Sequence, residues 1–366
     1  MDFTFTLEQE QLRHSLRSYL YDRYPFPARL AAARSEGWRA DIWHGLADDL
    51  GILGIGIPAA AGGTGGGAVE HMIVMEELGR VLALEPYLDT VILAGGALVS
   101  DGGPVATALL RRIVAGECVA TLAWGEPGMR YGLTGITTRA CPVAGGWRLD
   151  GAKNAVASGG IADVLLVVAR TDDGLSLFLV DPAASGVSVA TYPAIDGRRA
   201  ADATLVDVFV PTEALIGSAG AAGLLIELLH DRAIAAVAAE GVGLMERARR
   251  DTQDYVAQRR QFGRPLGEFQ VVQHRLVDMY VEWERAVAAT FLVTLRLGDT
   301  PALRKRAASS AKVVLGKATR FVGQNAIQLH GGMGMTDDLA VGHCFKRLTM
   351  IDGEYGTVDH HLARYG

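Results

Sequence analysis

The stretch DVLLVVARTDDGLSLFLVDP, residues 163–182, decides how the chain is read. Two short apolar runs rich in β-branched residues flank Thr171-Asp172-Asp173-Gly174, and Asp181-Pro182 closes the second run. Runs of the same kind recur as CVATLAW (118–124), GWRLDG (146–151), VSVATY (187–192) and ATLVDVFV (203–210). Their spacing leaves no room for intervening helices and predicts an antiparallel sandwich or barrel over about 119–218.

Both flanks of this β region read as helix. Upstream, Thr6 followed by Gln9 is a capping-box signal ahead of Leu12, Leu16 and Leu20, which share one helical face. Met72, Met75 and Leu78 repeat at helical spacing within 71–84. Between them, GIGIPAAAGGTGGG (54–67) must be loop. It holds two Gly-x-Gly-x-x-Ala fragments, Gly54/Gly56/Ala59 and Gly63/Gly65/Ala68. Pro58 interrupts the first and the second follows a loop, so neither opens a βαβ unit and both read as turns. Downstream, 222–258, 267–298 and 301–328 are rich in Ala, Leu, Arg and Glu and predict an antiparallel helical bundle. The expected fold is α+β in three consecutive domains: 1–118 helical, 119–218 an antiparallel β-domain, and 219–366 a four-helix bundle.

Composition narrows the function. Among 366 residues, 35 Lys and Arg stand against 41 Asp and Glu, a net charge of −6. That balance argues against nucleic acid as a partner. No apolar run reaches the ~18 residues of a membrane span. MDFTFTLEQEQLR lacks the basic-then-apolar pattern of an export signal, which predicts a cytoplasmic protein. Cys118, Cys141 and Cys344 are far apart and never form Cys-x-x-Cys, which argues against a disulfide framework or a zinc ribbon. His360 and His361 are adjacent, point in different directions on a helix, and make a poor metal site. Gly-x-Ser-x-Gly and Gly-x-x-x-x-Gly-Lys are both absent.

Five motifs, in order, carry a resemblance over nearly the whole chain: 54–67, TLAWGEPGMRYGLTGITTRA (121–140), GWRLDGAKNAVASGG (146–160), YVAQRRQFGRPLGEFQ (255–270) and NAIQLHGGMGM (325–335). This arrangement resembles the acyl-CoA dehydrogenase family. The resemblance implies FAD as cofactor and an acyl-CoA thioester as substrate. A carboxylate would take a proton from the α-carbon, a hydride would leave the β-carbon for flavin N5, and an electron-transfer flavoprotein would accept the electrons. By the same resemblance, Arg259 reaches the FAD pyrophosphate of a neighbouring subunit, with Gln261 and Phe262 as polar and aromatic contacts. Gln328, Gly331 and Gly332 match the segment along the pyrophosphate, and Thr357 joins the cofactor-binding set. A guanidinium suits phosphate through paired hydrogen bonds, and glycine permits a close backbone approach.

The chain departs from the family pattern in two places. Where the family's commonest catalytic glutamate precedes Gly-Thr, this chain has Tyr355 before Gly356-Thr357, with Glu354 one residue earlier. A one-residue shift on a helix turns a side chain by ~100°, and tyrosine, with a reference pKa of ~10, is a poor base. Other members place the base on a bundle helix just before an arginine, which Asp231-Arg232 resembles. The candidate bases are therefore Asp231 and Glu354, with Glu240 a weaker third. In the β region, Ala155 and Ala157 stand where a Trp and a Thr pack on the flavin. Gly125 replaces a flavin-contacting Thr, Tyr131-Gly132 replaces a Ser-Asp pair near the thioester, and Trp124 is a possible substitute ring. Residues offered to a neighbour's FAD are thus kept, and those serving the chain's own are eroded. That asymmetry resembles the smaller subunit of heteromeric α2β2 members, which act on bulky CoA esters such as steroid side chains and dicarboxylic acyl groups. The alternatives are a non-catalytic subunit completing a partner's site, or a homotetramer using Asp231 or Glu354.

Overall fold

The computed structural model describes residues 4–132 and 135–366. The first three residues, and Leu133 and Thr134 within the 121–140 motif, lie outside the described residues.

Helices open the chain: α1 (Leu7–Arg23), α2 (Phe26–Arg34), α3 (Ala40–Asp48) and α4 (Ala68–Arg80). A π-helical stretch (Leu88–Ala94) runs into α5 (Gly95–Asp101), followed by α6 (Pro104–Val114). Strands follow: β1 (Ala120–Ala123), β2 (Arg139–Val143), β3 (Gly146–Ala157), β4 (Val164–Thr171), β5 (Gly174–Val180), β6 (Val187–Pro193), β7 (Arg199–Pro211) and β8 (Leu215–Ile216). The chain ends with α7 (Gly223–Gln258), the hairpin β9 (Arg260–Gln261) and β10 (Arg264–Pro265), α8 (Gln270–Arg296), α9 (Pro301–His330), α10 (Ala340–Gly353) and α11 (Val358–Tyr365). Helices, then a sheet, then helices is the expected order.

Contacts gather into two compact units. The first comprises Met1–Leu30, Ala68–Ala83 and Ile234–Gly366. The capping box at its start forms as expected: Gln9 N–H donates to Thr6 Oγ1 at 3.3 Å and Thr6 N–H to Gln9 Oε1 at 3.0 Å. Leu16 and Leu20 are buried. In the bundle, α8, α10 and α11 pack on α9. Small residues let α4 approach α7: a Cβ on Gly79 would lie 2.3 Å from Glu240 O, and one on Gly243 2.0 Å from Glu76 O. Ile234, Ala235, Val293, Ala308 and Ala311 form a core cluster, with Tyr355 packed against it.

The second unit comprises Ala31–Gly67 and Leu84–Ala233. Its sheet runs β6-β7-β3-β2-β4-β5-β8, with β1 also on β4. Trp147 on β3 and Phe178 on β5 are not on neighbouring strands, yet their rings lie 5.4 Å apart, so the sheet curls over its own core. Most pairings are antiparallel, but β1 and β4 run parallel, and β2 meets β4 in parallel at Arg139–Arg170. The reason is local: a loop, not a tight turn, follows β1, so nothing obliges it to pair with its successor. The 54–67 loop closes on itself. Gly56 N–H donates to Gly65 O at 2.7 Å, and a Cβ on Gly63 would sit 2.0 Å from Ile57 O.

Candidate active site and cofactor surface

At one end of the bundle, Tyr255 near the end of α7 stacks on His330 at the end of α9, rings 4.4 Å apart. The β9–β10 hairpin follows Tyr255 in the chain, and residues 328–332 flank His330. Phe262 and Gly263 form the two-residue turn, with φ of +52° and +81°. Left-handed φ at both central positions is the primed-turn geometry that favours Asn-Gly, so an aromatic there is strained. Phe262 is nonetheless 90 % exposed. Arg259, Gln261 and Gln328 are exposed too, and none of the three side chains has a hydrogen bond or ion pair among the described residues. Gly331 has φ +59°, and a Cβ on Gly331 or Gly332 would meet nothing within 4 Å. A free guanidinium, two free amides, an exposed ring and bare backbone together suit a pyrophosphate and a flat heteroaromatic group. The residues thus fit a flavin dinucleotide offered from outside the chain.

The C-terminal segment is tied down differently. Arg347 is buried on α10 and gives Nε and Nη2 to Glu240, both at 2.8 Å. It also gives Nη1 and Nη2 to Glu354 at 2.6 and 3.0 Å. Both Glu354 oxygens are therefore engaged, and the residue would have to leave Arg347 to act as a base. Tyr355, at φ +55°, packs against the bundle core. Lys312, fully buried, donates to Ile351 O (2.8 Å), Asp352 O (3.0 Å) and Gly356 O (2.8 Å), placing its ammonium at the negative end of α10. Burial pushes Lys312 down to about 8. His361 gives Nε2–H to Tyr355 O at 2.8 Å, and its Nδ1 faces Ser309 Oγ at 3.3 Å. Thr357 caps α11, its Oγ1 accepting from His360 N–H at 3.4 Å. Lys312 and His330 are both on α9, 18 residues and so roughly 27 Å apart. Glu354 and Thr357 therefore belong to a different stretch of the bundle from Gly331.

In the second unit, Asp231 is buried on α7, and Trp124 meets the neighbouring His230 edge to face at 6.0 Å. Arg232 lies against α5, where a Cβ on Gly96 would be 2.7 Å from its Nη1. Ala155 and Ala157 lie on β3, between β7 and β2 in the sheet, and Gly125, just after β1, accepts from Asn154 N–H at 3.0 Å. Between Lys153–Ala203 and Val156–Ala201 the register slips, giving a bulge at Asn154 and Ala155 opposite Asp202. Ala155 has φ +50°, and its N–H donates to Asp202 Oδ1 at 2.9 Å, as does the Tyr192 hydroxyl, also at 2.9 Å.

Beneath this bulge lies a pair that sequence reading does not reveal. Lys153 Nζ donates to Glu126 Oε1 at 2.5 Å, with both side chains buried. Burial would raise Glu126, but donors from Lys153, Thr137 and Thr138 outweigh it and hold the carboxyl at about 2. The available signal was Lys153 at an inward position of β3, in line with Leu149 and Val156.

Comparisons with known proteins agree with this architecture. The acyl-CoA dehydrogenase N-terminal, middle and C-terminal domain patterns match residues 6–106, 121–208 and 224–363. A mitochondrial isovaleryl-CoA dehydrogenase from Oryza sativa is 29% identical over 95% of this chain and 88% of its own length. The ChsE4-ChsE5 complex from Mycobacterium tuberculosis superposes with a TM-score of 0.91 at 28% identity, covering 100% of this chain and 97% of that one. A variant of the Tcur3481-Tcur3483 steroid ACAD does so with a TM-score of 0.89 at 33% identity, covering 98% and 96%.

Proposed function

The chain belongs to the acyl-CoA dehydrogenase family, and from that premise we propose that it works as one half of a heteromeric enzyme that dehydrogenates a bulky or dicarboxylic acyl-CoA between its α- and β-carbons. As a family member it is an FAD-dependent oxidoreductase of CH–CH bonds. FAD, when bound, accepts the hydride that leaves the β-carbon.

One observation carries the shared-site reading: Arg259, Gln261 and Gln328 are exposed and uncommitted beside exposed Phe262 and open Gly331-Gly332. Arg259 holds a partner's pyrophosphate through its guanidinium, Gln261 and Gln328 supply amide hydrogen bonds, and Phe262 covers a flat face. Gly331 and Gly332 let the backbone approach. Thr357, in a different stretch of the bundle from Gly331, serves a different cofactor copy. Asp231, buried away from water on α7, takes the α-proton. The electron acceptor is an electron-transfer flavoprotein, and the enzyme works in the cytoplasm. The heteromeric relatives ChsE4-ChsE5 and Tcur3481-Tcur3483 support this reading over a homotetramer.

Purification alone and with a homologous partner chain tests it. Flavin absorbance is expected only in the co-purified complex. Stoichiometric FAD on the lone chain would overturn the shared site.

A further inference from the structure

On α7, the segment ERARRD (246–251) holds three arginines and two acids. Two of the arginines are paired at the i, i+4 spacing of a helix: Arg250 with Glu246 at 2.5 Å, and Arg247 with Asp251 at 2.7 Å. Arg249 has Met245 and Gln253 at those positions, so its own helix offers it no acid there. Among the described residues its guanidinium makes no hydrogen bond or ion pair, and its Nε is buried. Glu284 acts on it only through space.

Arg249 lies instead over two rings of α8, 5.3 Å from the Tyr280 centroid and 5.2 Å from that of Trp283. The rings are 5.7 Å apart, and Trp283 is fixed because its Nε1–H donates to Val242 O at 3.2 Å. Around them, Val277, Tyr280 and Val281 are 59, 45 and 48 % exposed. Spacings of three and four residues put these three on one face of α8. Tyr, Trp and Arg grouped with exposed aliphatic side chains is the composition of an interface centre. The other exposed pair on α8, Leu292 and Leu295, adjoins Arg296, which is already paired with Asp299 at 2.8 Å.

The charge decides what covers this face. A purely apolar surface docked here would strip the remaining water from Arg249, and an unpaired guanidinium is costly to bury. A carboxylate removes that cost through paired, charge-assisted hydrogen bonds. We propose that Arg249, Tyr280 and Trp283, with Val277 and Val281, form a docking site for the partner chain of the heteromer, which enters it with one Asp or Glu set among apolar residues. The proposal rests on the heteromeric reading above and adds the chemistry by which the partner is selected.

The test uses the full chain, alone and in complex with its co-purified partner chain. Arginine modification by phenylglyoxal, read by mass spectrometry, is expected to label Arg249 in the lone chain and to do so at least tenfold more slowly in the complex. Arg249→Met is expected to weaken association at least tenfold and to flatten its dependence on salt. Arg249→Glu weakens it further, and reversal of one acid of the partner to Lys restores it. Circular dichroism of each lone variant reports folding, and labelling of the parent decides the question where a variant is misfolded. Equal labelling of Arg249 in both states would overturn the proposal, as would a folded Arg249→Met protein with parent-like affinity and salt dependence. The heteromeric reading fails separately, if the parent forms no complex with the partner chain. Protection of Arg249 in a self-assembled parent would then put a second copy on the site in place of the partner, and a parent that stays monomeric would leave the site without an occupant; both overturn the proposal.

Discussion

At the scale of single residues, the chemistry turns on which carboxylates are already committed. Glu240 and Arg347 stand 107 residues apart and bond at 2.8 Å, with Glu354 on the other side of the same guanidinium. Replacing Arg347 with Met takes two charge-assisted hydrogen bonds from buried Glu240, and removal of one member of a buried pair costs about 3–5 kcal/mol. Thermal or urea unfolding of Arg347→Met should show a loss of that size, and Glu354→Gln, whose site is only half-buried, a small fraction of it. Substitution separates the two candidate bases. Asp231→Asn should lower kcat/KM of the assembled enzyme at least tenfold with a dye acceptor, an effect of about 1.4 kcal/mol or more on the transition state. Glu354→Gln should change it less than tenfold. The reverse order would move the base to the C-terminal segment. The acids themselves were legible as candidates in the sequence. Their fates were not, because whether a carboxylate is held by a guanidinium depends on contacts between α7 and α10 that spacing along the chain does not encode.

At the scale of elements, legibility followed local chemistry. The Thr6–Gln9 box marked the start of α1, because capping is settled within one turn. The three long C-terminal helices were readable from composition, and the observed α9, Pro301–His330, matches the expected 301–328 closely. β2 was not readable: RACPV carries Pro142, which lacks a backbone donor, and only Ala140 of the five residues is buried, so no alternation shows. Parallel pairing of β1 with β4 was equally hidden, since it depends on partners 44 residues apart, such as Ala120 and Val164. Docking of α11 depends on His361, which gives an element-level prediction. Burial, opposed by its bond to Tyr355 O and reinforced by Lys312, Arg364 and His360, pushes this imidazole down to about 3. The unfolded chain takes up that proton near pH 6.5, the folded chain only near 3. Stability is therefore complete above pH 6.5 and falls as pH drops through that window, by about 1.4 kcal/mol per pH unit for one proton. His361→Asn, which keeps polar contacts but does not titrate, should flatten the pH dependence of unfolding between 6 and 4. A slope identical to that of the parent would assign the acid sensitivity to other groups.

At the scale of the whole molecule, exposed apolar residues gather on α8. Val277, Tyr280, Val281, Leu292 and Leu295 are all more than 40 % exposed on α8. At 100° per residue they fall within an arc of about 120°, in two groups, 277–281 and 292–295, with exposed Glu284 on the same face between them. Exposed apolar side chains grouped on one helix face mark a surface that another chain covers. The bundle that carries it also carries the free Arg259, Gln261 and Gln328 side chains, so assembly and cofactor binding draw on the same unit. Covering that face and filling the flavin site should then fail together. Val281→Glu/Leu292→Glu places two carboxylates on the exposed face while leaving the buried face of α8, including Met279, Ala286 and Val293, untouched. Co-expressed with the partner chain, this variant should remain folded by circular dichroism, elute as a monomer by light scattering and carry less than a tenth of the parent's flavin. Arg259→Ala should separate the two effects: full assembly with sharply reduced flavin, since it removes a phosphate contact and leaves the exposed face of α8 intact. A monomeric Val281→Glu/Leu292→Glu protein that retained stoichiometric FAD would show that this chain closes the flavin site unaided, and would shift the reading to a self-contained enzyme.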